Sequence, residues 1–382
     1  MDASMTVAYV PGLAGVPAAE SEVSFIDGER GILEYRGISI LDLARMSSFE
    51  ETTFLLLYGH LPSRPELDAF NSKLNEHRAV KFHVAEIVKR LPENAHPMNA
   101  LQASVAALGA LYPAHDVMDP KVQNETALRL VAKLPTLVAM FHRIRRGHEP
   151  VPPNDELNHA SNFLYMLEGK ESDPLAARVL DACLILHADH TFNASTFTAR
   201  VVGSTLADGY SVMAAAVASL SGPLHGGANE EVLQMLAEIG GPERARAYLE
   251  GKLAKKEKVM GLGHRVYKVK DPRAHILQRL AEQLFDKLGT SPDYETAKAL
   301  EAAAAEILGP KGIYPNVDFY SGIVYDRLGI PHDLITPIFA LSRVSGWCAH
   351  WLEQIRNNRI FRPKQVYTGR REEPYVPMNQ RS

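Results

Sequence analysis

The sequence predicts an all-helical protein with a small β-hairpin near its N-terminus. Patterns typical of helices recur through most of the 382 residues. In each, a serine, aspartate or proline that can start a helix is followed by apolar side chains at helical spacing. Strand signals are few and do not alternate with helices, which argues against a doubly wound α/β sheet. No internal repeat at solenoid periods is present. The length therefore favours two lobes built mainly from helices.

The first third of the chain shows both kinds of element. Phe25–Gly28 and Gly31–Tyr35 read as two short strands that pair as a hairpin. A capping box at Ser48–Glu51 starts a helix that Gly59 ends, and a second box at Ser63–Glu66 starts the next helix. We therefore expect the chain to pass from a hairpin directly into helices.

Helix signals continue downstream. Pro97 can open one helix and Asp173 can cap another. The segment Val212–Leu220 is apolar nearly all round, which predicts a buried helix, and a further helix is expected over about Asn229–Ile239. From Arg362 onward, proline and glycine are too frequent for a helix.

Composition excludes several classes of function. With 46% hydrophobic residues the chain can build a real core, and a net charge of -4 gives no sign of nucleic-acid binding. The lysine-rich stretch 252–258 is interrupted by Ala254 and Glu257, and we interpret it as a solvated helix face. We therefore expect no nucleic-acid partner.

Location is predicted from what the sequence contains. Cys183 and Cys348 lie in apolar stretches and are expected to be buried free thiols, as in a reducing compartment. The first twenty residues lack the features of a signal peptide, and no apolar run approaches the ~18 residues of a spanning helix. The expectation is a cytoplasmic protein without a membrane partner.

The first polar turn is Gly222–Asn229, which contains His225. A histidine just before a helix sits near the partial positive charge of the helix N-terminus, which disfavours imidazolium. A neutral ring there can donate a hydrogen bond to an oxygen on which negative charge develops. The alternative is a histidine that only caps a turn.

The second polar turn is Met260–Tyr267, followed by Asp271 and Arg273. Its two glycines allow the backbone to approach a ligand closely, and His264 and Arg273 are polar groups near each other in the chain. The dinucleotide fingerprint GxGxxG is absent. The alternative is a flexible loop with ordinary charges.

The third polar turn is Tyr314–Gly322, in which Asp318 is flanked by apolar residues. Partial desolvation would raise the pKa of its carboxyl group toward the range of a general base. The alternative is that Asp318 is the N-cap of the following helix. Two arginines complete the polar set, since Arg343 lies inside an apolar helix and Arg362 follows an apolar pair. If either is buried, it needs an anionic partner, which is a protein carboxylate or a ligand.

Taken in order, these segments resemble the citrate synthase family. GPLHGGANEEV, GLGHRVYKVKDPR, YPNVDFYSG and SRVSGW followed by RPK occur in the family's order and at about its spacing. SFIDGERGILEYRGI, HPMNAL and LHADHTFNASTFTARV are also similar to it. The similarity covers roughly residues 22–375, and the compact length resembles the shorter, dimeric bacterial members.

The resemblance implies a citrate synthase that joins acetyl-CoA to oxaloacetate. Asp318 would take a proton from the acetyl methyl, His225 would donate a hydrogen bond to the thioester oxygen, and His264 would protonate the ketone oxygen. The resemblance assigns oxaloacetate binding to four residues, namely His190, Arg273, Arg343 and Arg362. It also implies a homodimer in which Arg362 reaches the partner's site, while His187 is interpreted as structural.

CoA would lie along one loop of the second polar turn. The resemblance implies that this loop consists of Val259, Met260, Gly261, Leu262 and Gly263, with Lys311 as a further phosphate contact. No metal and no cofactor are expected, since acetyl-CoA is a substrate. The implied domains are residues 1–227 plus 329–382 for the large helical domain and 228–328 for the small one, with closure over oxaloacetate.

Three alternatives stay open from the sequence. A 2-methylcitrate synthase that uses propionyl-CoA would share the fold and the chemistry, and a pocket discriminates one methylene by only about 1–3 kcal/mol. A metal-dependent hydrolase is suggested by His187–His190, although HExxH and HxHxDH clusters are absent. A binding protein that has kept only the fold is disfavoured, because all three reacting residues are intact.

Overall fold

The computed structural model describes residues 9–113, 116–264 and 266–381, without the side chains of Ala228 and Asn229. That part of the chain holds sixteen α-helices and three short strands. The strands are β1 (Ser24–Asp27), β2 (Ile32–Tyr35) and β3 (Ile38–Ser39). The helices are α1 (Ile40–Met46), α2 (Phe49–Tyr58), α3 (Arg64–Arg78), α4 (Phe82–Arg90), α5 (Pro97–Leu111), α6 (Pro120–Arg145), α7 (His159–Glu168), α8 (Pro174–His187), α9 (Ala194–Gly203), α10 (Gly209–Leu220), α11 (Ala228–Ile239), α12 (Ala245–Ala254), α13 (Pro272–Leu288), α14 (Pro292–Ile307), α15 (Val317–Arg327) and α16 (Ile335–Arg356). The predicted all-helical class is confirmed.

The predicted hairpin is confirmed and gains a third strand. β1 and β2 pair antiparallel with Ser24 opposite Tyr35, and β3 extends the sheet on the other side of β2. β3 was not predicted, because two residues are too few for a period-2 pattern. The hairpin also contacts the second polar turn, since the backbone N–H of Lys268 donates to the carbonyl of Gly28 at 2.9 Å.

Most predicted helix starts are confirmed. The Ser48 side chain accepts from the N–H of Glu51 at 3.2 Å, and α2 ends at Gly59 with a φ of +86°. Glu66 accepts from the N–H of Ser63 at 2.8 Å and so completes the second capping box. The proline and aspartate starts of α5 and α8 are present as predicted.

One interpretation of the sequence is wrong. The lysines of 252–258 do not form a helix face, because α12 ends at Ala254 and Lys256 has a φ of +58°. The stretch therefore leaves the helix within two residues of Lys252 and continues as a turn. By contrast, Cys183 and Cys348 are free and buried, and residues 362–377 contain no helix, as predicted.

The core is organised around α16. This helix is buried along most of its length, with Trp347 and Trp351 among its fully enclosed side chains, and it packs against α2, α6, α8, α9 and α10. α11 to α15 pack on one another, and α13 also meets α1 and α8. Within the described residues no helix is both long and apolar enough to cross a membrane. The three polar turns lie where these two groups of helices join.

Candidate active site

The turn that carries His225 connects α10 to α11 and is tightly folded. The N–H of His225 donates to the carbonyl of Gly222, and the N–H of Gly226 donates to the carbonyl of Leu220, both at 2.9 Å. A Cβ on Gly226 would lie 2.6 Å from the Leu220 oxygen, so only glycine fits there. Gly226 therefore serves the fold of the turn.

Hydrogen bonds fix the tautomer of His225. The backbone N–H of Ser195 donates to Nε2 of His225 at 3.3 Å. The Ser195 hydroxyl lies 2.8 Å from the same nitrogen and equally close to Oδ1 of Asn193, which also accepts from it. Because Nε2 accepts, the proton of the neutral ring is on Nδ1. Burial, and then the charge of Arg343, lower the pKa of His225 to about 4. The ring is therefore a neutral Nδ1–H donor near pH 7.

The loop before His264 is held against the start of α15. The N–H of Gly263 donates to the carbonyl of Tyr314 at 2.8 Å, and the N–H of Asn316 donates to the carbonyl of Gly261 at 2.9 Å. The Asn316 side-chain amide also donates to the carbonyl of Gly263, at 2.9 Å. These bonds bring His264 and Asp318 together although 54 residues separate them in sequence.

Gly261 has a structural reason to be glycine. Its φ is +73°, and a Cβ would lie 2.9 Å from Cδ2 of Phe319 and 3.0 Å from Cγ2 of Val232. A side chain there would be strained and would also clash with two apolar neighbours. The sequence suggested that the two glycines admit a ligand, whereas for Gly261 the packing of Phe319 already requires glycine.

His264 has the tautomer opposite to that of His225. Its Nδ1 accepts from the backbone N–H groups of Val266, at 3.0 Å, and of Tyr267, at 3.2 Å. Nε2 therefore carries the proton of the neutral ring. Burial, and then the charge of Arg273, lower the pKa of His264 to about 4. His264 thus offers a neutral Nε2–H donor.

His190 lies beside His264. The two ring centroids are 5.3 Å apart, and Nε2 of His190 is 3.3 Å from the Tyr267 hydroxyl. Burial, followed by the charge of Arg273, lowers the pKa of His190 well below its usual range. Three uncharged side chains, two imidazoles and a phenol, therefore line this part of the site.

Asp318 is the second residue of α15 and is not its N-cap. Asn316 is the cap, since its side-chain oxygen accepts from the N–H of Asp318 at 2.9 Å, so the capping alternative for Asp318 is wrong. Among the described residues no hydrogen-bond donor contacts its carboxylate. Burial raises the pKa of Asp318 to about 6, against the opposing charges of Arg273 and Arg343. The carboxyl group is therefore a free base that is mostly ionised at neutral pH.

Arg273 and Arg343 are almost fully enclosed. Arg273 places Nε 3.0 Å from Oδ1 of Asp271 and Nη2 2.7 Å from Oδ2, so one edge of its guanidinium is occupied. Arg343 donates from Nε to the carbonyl of His187 at 2.7 Å and lies over the ring of Phe339. Within the described part of the chain its two terminal nitrogens make no hydrogen bond, and they are therefore free to bind an anion.

The charges of Arg273 and Arg343 influence the pKa values of the other polar residues near them. Arg343 acts on the pKa of His225, His190 and Asp318, and Arg273 acts on that of His264, His190 and Asp318. Contacts support the same grouping, since the His225 ring lies 6.3 Å from the ring centroid of Phe339 and the Arg343 guanidinium 4.7 Å from it. The structure therefore brings together the three residues predicted to react and three of the four predicted to bind oxaloacetate. They are His225, His264 and Asp318 with His190, Arg273 and Arg343.

Two predicted contacts lie elsewhere in this single chain. Arg362 is exposed, donates only to the carbonyl of Pro363 at 2.9 Å among the described residues, and lines a groove of about 810 Å³ between the segments 13–22 and 353–363. Lys311 is exposed in a 3-10 turn after α14. Val259 to Gly263 form the loop directly before His264, and Gly261 and Gly263 of this loop are hydrogen-bonded to the segment that leads into α15.

Sequence reasoning missed several residues of the site. Ser195 orients His225 and receives a hydrogen bond from Nε1 of Trp347 at 3.1 Å, while Tyr267 contacts His190. Asp271, the N-cap of α13, pairs with Arg273. Asp271-Pro272 at a helix start is a readable cap signal, but nothing in the sequence marks the other two contacts, since their partners are distant in the chain.

The HADH segment does not converge on one point. His187 donates from Nδ1 to the carbonyl of Cys183 at 2.8 Å, whereas the carboxylate of Asp189 accepts from Ser24, Thr191 and His350. Among the described residues no group of three or more His, Cys, Asp or Glu side chains is arranged to hold a metal ion.

The chain is similar to known proteins of one family. Residues 12–364 match the family model described as "Citrate synthase, C-terminal domain". The chain is 58% identical to a citrate synthase of Synechocystis over 98% of this chain and 94% of the relative. It is 48% identical to citrate synthase 2 of Bacillus subtilis, covering 97% and 99% of the two chains.

Solved structures show the same fold. Citrate synthase from Pyrobaculum aerophilum is 45% identical, with a TM-score of 0.91 over 97% of this chain and 95% of that one. The enzyme from Thermoplasma acidophilum, solved as a ternary complex with carboxymethyl coenzyme A and oxaloacetate, is 34% identical, with a TM-score of 0.91 over 97% and 99%. On the sequence, the fold and the site together, the chain belongs to the citrate synthase family, a family of acyl-transferring enzymes.

Proposed function

We propose that the chain condenses acetyl-CoA with oxaloacetate and water to give citrate and CoA. The observation that carries this proposal is a buried carboxyl group with no hydrogen-bond donor among the described residues, together with two neutral imidazoles of opposite tautomer, all under the charge of Arg273 or Arg343. The citrate synthase relatives, 47–58% identical over nearly the full length, support the choice of substrates.

The first step is proton removal from the acetyl methyl group. Asp318 is the base, because its pKa of about 6 leaves it mostly ionised at pH 7 while making it more basic than an ordinary aspartate. The proton on Nδ1 of His225 forms a hydrogen bond to the thioester oxygen as negative charge develops there. A neutral donor suits this task, since it stabilises the enolate without leaving a charged ring in a dry site.

The second step forms the carbon–carbon bond. The enolate carbon attacks the ketone carbon of oxaloacetate, and the ketone oxygen takes the Nε2 proton of His264. The proton that Asp318 removed from the methyl group then returns to His264 through water, which restores both residues for the next turnover. The citryl thioester that results is then hydrolysed by water, which breaks the carbon–sulfur bond and releases the CoA thiol. The opposite tautomers of His225 and His264 are consistent with one donor for each of the two oxygens.

Oxaloacetate carries two carboxylates, and planar guanidinium groups bind carboxylates with two parallel hydrogen bonds. Arg343 is proposed to bind one carboxylate through its terminal nitrogens, and Arg273 to bind the other through the edge that Asp271 leaves open. His190 adds a contact to the substrate, and the Tyr267 hydroxyl orients its ring.

A homodimer is proposed, with Arg362 contributed to the partner's site. The exposure of Arg362 and the extended chain that follows it support this role, because such a segment gains order by crossing to a second subunit. Mixing Arg362→Ala subunits with Asp318→Asn subunits tests it. A heterodimer would then contain one intact site, so 1:1 subunit exchange should restore about a quarter of wild-type activity; no restoration would refute transfer across the interface.

Acyl-CoA is proposed to bind along Val259–Gly263, with Lys311 near its phosphates. This loop leads directly into His264, so the thioester would reach Asp318 and His225. The complex of the Thermoplasma relative with carboxymethyl coenzyme A and oxaloacetate supports two substrates in one site. No further cofactor is required by this chemistry, and a cytoplasmic location is proposed.

Two lobes are proposed, residues 1–227 plus 329–382 and residues 228–328. His190, His225 and Arg343 come from the first, and His264, Arg273 and Asp318 from the second. Binding of oxaloacetate would hold the lobes together and exclude water before acyl-CoA reacts. Small-angle scattering with and without oxaloacetate should show compaction on binding.

The decisive assay is release of the CoA thiol by purified protein with oxaloacetate and either acetyl-CoA or propionyl-CoA. We expect a higher kcat/KM with acetyl-CoA. A clear preference for propionyl-CoA would reassign the chain to 2-methylcitrate synthesis, and no release with either substrate would refute the proposed function.

A further inference from the structure

Three side chains from three separate segments meet beside the His225 turn. Thr336, in the first turn of α16, donates from its hydroxyl to Oε1 of Glu230 at 2.6 Å. The same hydroxyl lies 3.3 Å from the carbonyl of Gly226, the residue directly after His225. Glu230 belongs to the first turn of α11. One hydroxyl therefore contacts both the turn and the helix that follows it.

The contact is buried and specific. Thr336 is 1% exposed, and a hydroxyl bound to an ionised carboxylate at this distance is a strong, charge-assisted bond. An acidic residue in the first turn of a helix commonly serves only to balance the helix dipole. The carboxylate of Glu230 does more, because it accepts a hydrogen bond from a different helix.

His96 provides the third member. It is the N-cap of α5, where its Nδ1 accepts from the N–H of Met98 at 3.2 Å. Its Nε2 faces Oε2 of Glu230 at 3.8 Å, and this contact raises the pKa of His96. Because Nδ1 accepts, the Nε2 proton points toward the carboxylate. Oε1 of Glu230 therefore accepts a hydrogen bond from α16, and Oε2 faces the N-cap of α5 across 3.8 Å.

We propose that Thr336, Glu230 and His96 form a brace that positions His225 for catalysis. The brace connects the turn after α10 to the start of α16, the two places where the chain passes between the groups of helices that meet at the site. Ser195 holds the ring of His225 at Nε2, and the brace holds the backbone that carries the ring. The three are positioning residues for the proposed condensation, so the inference rests on the proposed function.

The test compares Thr336→Val with Thr336→Ser. Valine keeps the shape and removes the hydroxyl, and small displacements of a catalytic group cost large factors in rate, so we expect kcat to fall about tenfold. Serine restores the hydroxyl and should return kcat to within about twofold of wild type. The KM for oxaloacetate should stay within about twofold in both variants, since neither touches Arg273, Arg343 or His190.

Thr136→Val is the matched control. Thr136 lies in α6, and its buried hydroxyl donates to the backbone carbonyl of Arg78 at 2.8 Å. It should lower thermal stability about as much as Thr336→Val while kcat stays at the wild-type level. Glu230→Gln is the second probe: it keeps an oxygen for Thr336 but removes the charge, and kcat should fall by at least about threefold. This variant decides the matter if Thr336→Val does not fold.

An active wild type whose Thr336→Val or Glu230→Gln variant retains full kcat would overturn the brace and leave the proposed function intact. A loss in Thr336→Val that serine does not rescue, or an equal loss in Thr136→Val, would also overturn it. A wild type that releases no CoA would instead refute the proposed function.

Discussion

Replacing Asp318 by asparagine should lower turnover and raise the stability of the folded protein. Asparagine has nearly the same shape but cannot take a proton, so turnover should fall by at least about 100-fold. The free energy of unfolding, by contrast, should increase. Burial raises the pKa of Asp318 from 3.8 to about 6, so the folded state holds this carboxylate at a free-energy cost that asparagine does not incur.

The size and the pH dependence of that cost follow from the shift. Because the folded state binds the proton more tightly than the unfolded state, stability is lost as pH rises from the unfolded to the folded pKa. At pH 7.5 the penalty is at most about 3 kcal/mol, since one unit corresponds to 1.36 kcal/mol. At pH 5 most folded molecules are protonated at this site, and the penalty falls to roughly half of that value.

Urea unfolding of both proteins at the two pH values measures the difference, and CoA release measures turnover. We expect Asp318→Asn to be the more stable protein at pH 7.5 and to lose about half of that advantage at pH 5. Asp326→Asn is the control: this residue lies on the same helix, is exposed and pairs with His332 at 3.1 Å. It should change neither quantity much. An inactive Asp318→Asn protein that is no more stable than wild type would refute the argument from burial, and an active one would refute the role as base.

Three further substitutions test other parts of the site. Ser195→Ala removes the hydroxyl that orients His225 and should lower kcat about tenfold, with little change in the KM for oxaloacetate, as steady-state kinetics would show. Gly261→Ala introduces strain at φ +73° and a clash with Phe319, and should lower the free energy of unfolding by about 1–3 kcal/mol in urea titrations. Arg343→Lys replaces a planar fork by a single ammonium and should raise the KM for oxaloacetate at least about tenfold.

A different result would contradict each of these three predictions. For Gly261→Ala the control is Gly59→Ala, which has a φ of +86° but open space around the new Cβ, and should therefore cost less. Equal losses would mean that backbone strain alone explains the effect. Wild-type kcat in Ser195→Ala would show that the backbone N–H suffices to orient the ring. An unchanged KM in Arg343→Lys would remove this guanidinium from the oxaloacetate site.

The sequence predicts the helical class well, because capping residues and apolar periodicity are local signals. Ser48, Ser63 and Pro97 each start a helix where expected. Local signals fail where the helical and the non-helical conformation of a segment are similar in free energy. The lysine-rich stretch after Lys252 has good helix formers, yet α12 ends at Ala254, since helix formation there depends on tertiary packing rather than on propensity.

For the site, the sequence identifies the groups and not their partners. His225, His264 and Asp318 stand out because each is a polar residue in a glycine- or proline-marked turn. The tautomers of the two histidines could not be predicted, since they depend on Ser195, 30 residues away from His225, and on how the chain folds back at Val266. The Asn316 cap likewise decides that Asp318 is free to act as a base.

The charges around Asp318 connect the proposed homodimer with the proposed role of Asp318 as a base. In the described single chain, the positive charges of Arg273 and Arg343 lie near the carboxylates of Asp189, Asp271 and an ionised Asp318, so these groups carry no excess positive charge. Oxaloacetate would add two negative charges next to Asp318 and so raise the pKa of that carboxyl group further. A higher pKa makes a stronger base but reduces the ionised fraction, so proton removal is fastest when the shift is moderate. A third guanidinium, Arg362 from the partner, would limit the shift, so dimer formation would set the strength of the base as well as the affinity for oxaloacetate.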